Sequence, residues 1–132
     1  MKKNAEVNYL GRDEVVSFFG YWPEFCDAKI RAFIFDRTKE HACSIKVRIY
    51  YIDSNQNKSA ELEIEFGDVS ELNINNIFTD NVLDNLIINS NKSLLNNQYE
   101  VLFIACAGLS GKFMCENIQV KIKSMESIEK ED

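Results

Sequence analysis

The sequence predicts an α+β fold that is mainly β, an antiparallel meander or two-layer β sheet with one short N-terminal helix. Three observations predict it: one early stretch with helical spacing of apolar residues, several later stretches of alternating apolar and polar residues, and clusters of turn-forming residues between them. The length of 132 residues corresponds to a single domain, residues 1–132, with a charged, flexible tail at about 124–132.

The helix is predicted over residues 11–19. Acidic residues near its beginning suit the positive end of the helix dipole. Gly20 is a typical terminating residue, and Pro23 prevents continuation of the helix. The apolar side chains that share one face at helical spacing are Val15, Phe18 and Phe19.

Strands are predicted at 28–35, 45–51 and 61–66, joined by polar loops at 36–41 and 53–59 as an antiparallel meander. The third strand has the clearest alternation, which indicates one buried face and one solvated face. Its apolar residues are Leu62, Ile64 and Phe66, and its acidic residues are Glu61, Glu63 and Glu65.

In the second part of the chain, the spacing of the apolar residues distinguishes helix from strand less clearly. Residues 82–88 fit either a helix or a short buried strand, and the apolar run 86–88 favours the strand. A final hairpin is predicted from 99–106 and 113–122, with glycines in the turn. The alternation changes phase at 116–117, which predicts a β-bulge there.

Composition excludes several classes of function. The lysines near the N-terminus are not followed by an apolar segment, and no apolar run reaches about 18 residues, so we expect a cytoplasmic protein that makes no membrane contact. A net charge of −6 and a pI of about 4.9 oppose nucleic-acid binding. These properties leave small molecules and other proteins as partners.

No catalytic or metal-binding constellation is recognisable in the sequence. The four cysteines lack the paired spacing of a zinc site, and they are expected to be reduced core residues. His41 is the single histidine and lies in a predicted loop. No phosphate-binding loop or nucleophile motif is present. We therefore expect no catalytic residues, no metal, no cofactor and no enzymatic activity.

The negative charge is concentrated in one quarter of the sequence. Residues 59–91 contain seven acids and no Lys or Arg, whereas the rest of the chain has fourteen acids and fifteen bases. Two interpretations are open: a solvated face that prevents aggregation, or a docking face for a basic protein. In the second, the candidate contacts with the partner are Glu61, Glu63, Glu65 and Asp68.

The run Gly-Tyr-Trp-Pro-Glu-Phe-Cys-Asp-Ala at 20–28 resembles the Trp-Pro-x-Phe-His-Asp-Ala signature of the immunity protein 50 family of bacterial polymorphic-toxin systems. Later segments, at 69–72, 81–83 and the final hairpin, are also similar. The resemblance implies a non-enzymatic protein that binds a cognate toxin domain and neutralises it. Cys26 stands where the family has histidine.

Within this motif we expect structural roles. The apolar residues Trp22, Pro23 and Phe25 are predicted to form a plug at the corner between helix and strand. Asp27 is predicted to hydrogen-bond local backbone. The resemblance and the acidic segment together favour a toxin as the partner, because an acidic protein can cover a basic active site.

An alternative function from a different class is a small ligand-binding β-domain without catalytic activity. It requires a concave apolar cavity with a few polar groups. The aromatic residues that could line such a cavity are Phe33, Phe35 and Tyr50. The sequence makes no prediction of the oligomeric state.

Overall fold

The computed structural model describes residues 9–39, 42–91 and 98–127. Within these ranges the chain forms one α-helix and eight β-strands, so the predicted fold class, mainly β with one short helix, is confirmed. In chain order the elements are α1 (Arg12–Phe19), β1 (Lys29–Lys39), β2 (Ala42–Asp53), β3 (Lys58–Gly67), β4 (Ser70–Asn75), β5 (Val82–Asn91), β6 (Gln98–Ala107), β7 (Ser110–Cys115) and β8 (Asn117–Ser127).

The helix α1 lies where the apolar spacing predicts it, and it buries Val15 and Phe19 completely or nearly so. One side chain of the turn between β2 and β3 and one at the beginning of β3 bind its last carbonyl groups. Gln56 Nε2 donates to the carbonyl of Phe19 at 2.8 Å, and Lys58 Nζ donates to that of Phe18 at 2.7 Å. A cation at the C-terminal end also suits the helix dipole. In the described ranges no helix is long and apolar enough to cross a membrane.

The strands form one sheet in the order β4-β7-β6-β5-β1-β2-β3-β8, and neighbouring strands are antiparallel. The hairpins β1-β2-β3 are the predicted meander, and β8 returns to pair with β3. The preference for a strand over a helix at 82–88 is confirmed by β5. We call β1, β2, β3 and β8 the first half of the sheet, and β4, β5, β6 and β7 the second half.

The two halves meet at a narrow seam and fold over each other. Among described residues, β1 and β5 share a single register pair, Lys29 with Val82. The inner faces then pack together: the ring of Phe66 in β3 lies 5.1 Å from that of Phe113 in β7. Both rings are almost fully buried. The sheet therefore forms two layers around one apolar core.

The phase change at 116–117 has a different cause from the one predicted. The strand β7 ends at Cys115, and β8 begins at Asn117 in the opposite layer, so the predicted β-bulge is wrong. Glu116 connects the two layers, and its N–H donates to the carbonyl of Gly67 at 3.0 Å. When a chain changes layer, the side that faces the core is reversed, and this produces the same sequence pattern as a bulge.

Two further boundaries differ from the prediction. Residues 124–127, where the sequence predicts the beginning of a flexible tail, continue β8 and pair with 58–61; residues 128–132 lie outside the described residues. The predicted loop at 36–41 is mostly strand, because β1 extends to Lys39 and β2 begins at Ala42. The ends of long hairpins expose both faces, so their residues show no apolar alternation and resemble a loop in sequence.

Candidate functional site

The acidic residues of β3 lie on the outer face of the first half. The alternating residues Leu62, Ile64 and Phe66 have no solvent exposure, so Glu61, Glu63 and Glu65 point away from the core, as a period of two requires. All three glutamates are nevertheless only partly exposed. The side chains of Glu61 and Glu63 are 16% and 14% exposed.

Basic residues of neighbouring strands surround these carboxylates. Glu61 lies between two guanidinium groups: Arg31 Nη1 is 3.1 Å from its Oε1 and Arg48 Nη1 is 3.6 Å from its Oε2. Glu63 lies between two ammonium groups, with Lys46 Nζ at 3.5 Å and Lys123 Nζ at 3.7 Å.

The sequence leaves a solvated face or a docking face open for this row of glutamates, and the contacts add a third environment, cations of the same molecule. The acidic strand β3 lies between β2 and β8, and both neighbours carry bases on the same face. A count of charge along the sequence cannot detect this, because the compensating cations are distant in the chain. Two of the three carboxylates are therefore paired within the protein.

The central rows of this face carry more positive than negative charge, six cations and three carboxylates. Asp36 and Glu126 lie beyond these rows, at opposite ends of the face. We call the central surface the charged ladder. Its members are Lys29, Arg31, Lys46, Arg48, Glu61, Glu63, Glu65, Lys121 and Lys123.

Asp68 lies outside the ladder, at the turn that follows β3. Its backbone is left-handed with φ of 54°, a conformation that aspartate tolerates better than most residues. Asn117 Nδ2 donates to its Oδ2 at 3.4 Å. Within the described ranges, neither Asp68 nor Glu65 forms an ion pair. Of the four predicted contacts, these two are therefore the acids without a described ion pair.

The apolar residues of the family-like motif lie between the helix and the first half of the sheet. Phe25 has no solvent exposure, and its ring is 5.7 Å from that of Trp22 and 5.5 Å from that of Tyr51. Trp22 also contacts Tyr9 edge to face at 5.3 Å. Pro23 is buried beside them. The motif therefore contributes an aromatic cluster to the core.

The polar part of the motif is exposed. The backbone N–H of Asp27 donates to the carbonyl of Leu83 at 2.8 Å, which joins this turn to β5. The Asp27 carboxylate accepts no hydrogen bond from a described residue, so the backbone and not the side chain makes the local contact. Cys26 is also exposed, and the nearby Asp27 carboxylate, with smaller contributions that include Asp84, raises the pKa of its thiol.

The cavity proposed for a small ligand is not formed by the residues suggested for it. Phe33 faces the core and lies 6.1 Å from Phe103, whereas Tyr50 faces outward beneath Arg31. Phe35 is half-exposed at the end of the sheet. Since Phe33 and Tyr50 point to opposite faces of the sheet, the three aromatic residues do not line one pocket.

A groove that the sequence did not indicate lies at the seam between the two halves. It has a volume of about 690 Å³, and Lys29, Arg31 and Arg48 line one side, while residues 79–82 line the other. Strand alternation places these cations outward, but only the topology reveals that they border a groove. No metal-ligating cluster occurs in the described part of the chain, and His41 lies outside it.

The fold and this surface define a small antiparallel β protein whose charged side chains form a ladder of ion pairs across four strands. Residues 11–126 match the family model described as Immunity protein 50. The chain belongs to the immunity protein 50 family. No curated protein and no solved structure gives a match.

Proposed function

We propose that this protein binds the toxin domain of a bacterial polymorphic-toxin system and neutralises it in the cytoplasm of the producing cell. The observation that carries the proposal is the match to the immunity family over 11–126, which covers the helix and nearly all of the sheet. Binding alone accounts for protection, because a protein that occupies a toxin's active site or substrate path blocks it without a chemical step. The proposal therefore requires an interface and no catalytic group.

The acidic contacts remain part of this proposal. Glu65 and Asp68 are the predicted contacts that form no ion pair with a described residue, so they are the ones available to cations of a toxin. Glu61 and Glu63 would contribute to the same interface only by exchanging an internal cation for one from the toxin. Complementary charge of this kind chiefly accelerates encounter and fixes orientation.

Growth rescue and capture test the function itself. The probe is the C-terminal toxin domain encoded next to this chain, produced from an inducible promoter with and without the chain. We expect cells to survive only with the chain, and an inactivated toxin domain to co-purify with it. Death of the cells despite abundant chain, or the absence of a complex between the purified proteins, would contradict the proposal.

Charge reversal tests the acidic contacts. The double variant Glu65→Lys, Asp68→Lys should slow association about ten-fold at low salt and reduce its dependence on ionic strength. The matched control, Asp84→Lys with Glu100→Lys, changes the net charge equally in the second half of the sheet. Stopped-flow or surface plasmon resonance gives the rates. Equal rates for the two double variants would remove Glu65 and Asp68 from the interface.

A further inference from the structure

The strand β1 has an edge that no described strand covers. Along one side it pairs with β2 as far as Lys39. On the other side the pairing with β5 is limited to Lys29, and the N–H of Ile30 donates to the carbonyl of Asn81 at 2.9 Å. From residue 31 to residue 37 the described residues place no backbone partner beside this edge. Unpaired N–H and C=O groups of this kind form a template for another strand.

The central part of this edge, residues 32–35, lacks the usual protection against pairing with another chain, whereas charged residues and irregular register lie at both of its ends. Proteins protect an edge with charges, proline, bulges or short length. The segment 32–35 is uncharged and has regular register with β2, and its two flanking irregularities lie before Ala32 and after Asp36. Ile34 and Phe35 are 44% and 51% exposed, on opposite faces of the strand. Apolar side chains on both faces of an open edge suit an added strand, whose own side chains would cover them.

The seam groove lies at the beginning of this edge and favours an anion. The Arg31 guanidinium lies 4.4 Å from the ring centre of Tyr50, and it shares the single Glu61 carboxylate with Arg48. Two guanidinium groups on one carboxylate leave positive charge uncompensated. Lys29 forms no ion pair in the described ranges and increases the positive charge of the groove. Asp80, on the opposite wall, reduces that charge. Arginine side chains held in this way bind carboxylates in preference to neutral groups.

We propose that the toxin contributes an extended segment that adds a strand to the free edge of β1 at residues 31–37 and places a carboxylate side chain in the seam groove. This inference rests on the proposed function and specifies its partner surface: an apolar strand with an acidic residue at one end. Main-chain hydrogen bonds to the edge provide affinity, and the carboxylate fixes the register and direction of the added strand.

Hydrogen exchange of the complex tests strand addition directly. The probe is the inactivated toxin domain, mixed with the full-length unmodified chain. On binding, the amides of 31–37 whose N–H groups point to the free edge, every second residue of a regular strand, should become protected by at least ten-fold. The amides of β4, the edge strand of the second half, should not change. A complex in which the amides of 31–37 exchange as in the free chain overturns this inference and leaves the proposed function intact. No complex with the unmodified chain overturns both.

Two substitutions with a matched control test the side chains. Ile34→Lys places a charge on the edge, and Arg31→Glu reverses the charge of the groove; each should weaken toxin binding at least ten-fold. Ile104→Lys introduces the same lysine at a comparably exposed isoleucine of β6, and it should change the affinity less than two-fold. Full affinity of both edge variants overturns the inference. Should the unmodified chain alone form a dimer that Ile34→Lys dissociates, the edge belongs to a second copy, and the inference is likewise overturned.

Discussion

The Glu63 carboxylate lies between two lysines from different strands, Lys46 of β2 and Lys123 of β8. Its side chain is largely shielded from solvent, whereas both lysines are about half-exposed. Isolated surface ion pairs contribute about 0–1 kcal/mol, and a carboxylate shared by two cations lies at the upper end of that range. Removal of this charge would also leave two ammonium groups facing each other across β3.

We therefore expect Glu63→Gln to lower the free energy of unfolding by about 1 kcal/mol at low salt. The difference should shrink in about 1 M salt, where screening acts within about 3 Å. The matched control is Glu65→Gln on the same strand face, which removes a charge without a described ion pair and should cost less. Urea unfolding at two salt concentrations measures both. Equal losses for the two variants would show that the ion pairs of Glu63 do not stabilise the fold.

Asp53 is a buried acid that is held by several donors at the end of β2. Gln56 Nε2 donates to its Oδ2 at 2.6 Å and the Tyr21 hydroxyl donates to the same oxygen at 2.8 Å, while the N–H of Asn55 donates to Oδ1 at 3.0 Å. These hydrogen bonds, that of the Gln56 side chain foremost, lower the pKa of Asp53. Because the pKa is lower in the folded than in the unfolded chain, the ionised carboxylate stabilises the fold above the unfolded value.

We expect this stabilisation to be lost as the pH falls below about 4, the ordinary pKa of aspartate, and through the folded value. The variant Asp53→Asn has no charge to lose at that position. The difference in unfolding free energy between the unmodified chain and Asp53→Asn should therefore be constant from about pH 7 to 5 and decrease towards about pH 2. Urea unfolding across this range measures it, with the exposed Asp36→Asn as control. If this difference in unfolding free energy does not decrease on acidification, the ionised Asp53 carboxylate does not stabilise the fold.

The final strand shows how an element can differ from its appearance in the sequence. Residues 124–127 include two serines and a glutamate, and without apolar alternation they resemble a frayed terminus. In the structure they pair with 58–61, where β3 needs a neighbour on its outer side. An edge strand can be polar on both faces because main-chain hydrogen bonds maintain it. Its partner, rather than its own composition, determines that it is a strand.

Truncation tests whether residues 124–127 stabilise the sheet as part of β8 or behave as a flexible tail. A chain that ends at Ser127 keeps the whole strand, whereas one that ends at Lys123 loses the four residues that pair with 58–61. We expect the shorter chain to be less stable by roughly 1 to 3 kcal/mol, from lost main-chain hydrogen bonds and cross-strand contacts. Urea unfolding of the two chains tests this. Equal stability would show that residues 124–127 behave as the flexible tail that the sequence predicts.

At the scale of the whole molecule, local patterns predict the elements and long-range pairing determines the surface. The helix, the three strands of the meander and the buried faces of β2 and β3 follow from the period of the apolar residues, whereas an irregularity between Ile30 and Ala32 reverses the faces of β1. The sheet order does not follow from this period, because β3 pairs with β8 across the intervening residues 68–116. Both the pairing of Glu61 and Glu63 with internal cations and the groove at the seam depend on that order.

The same topology makes the core the main link between the two halves. Since β1 and β5 share one register pair, main-chain hydrogen bonds hold the halves together only locally in the described residues. Phe103 of β6 lies 6.1 Å from Phe33 and 6.5 Å from Phe66, both of the first half, and it is 2% exposed. Its ring therefore packs across the interface between layers, and the halves are expected to unfold as one unit.

We expect Phe103→Ala to destabilise the protein by about 3–5 kcal/mol, with the smaller change Phe103→Leu costing less. The adjacent Ile104→Ala, at a 40% exposed residue on the outer face, should cost below about 1 kcal/mol. Far-UV circular dichroism and the fluorescence of Trp22, which lies in the aromatic cluster beside the helix, should report one coincident urea transition for every folded variant. If the two probes separate already in the unmodified chain, the layers unfold independently, and the shared core does not couple the two halves of the sheet.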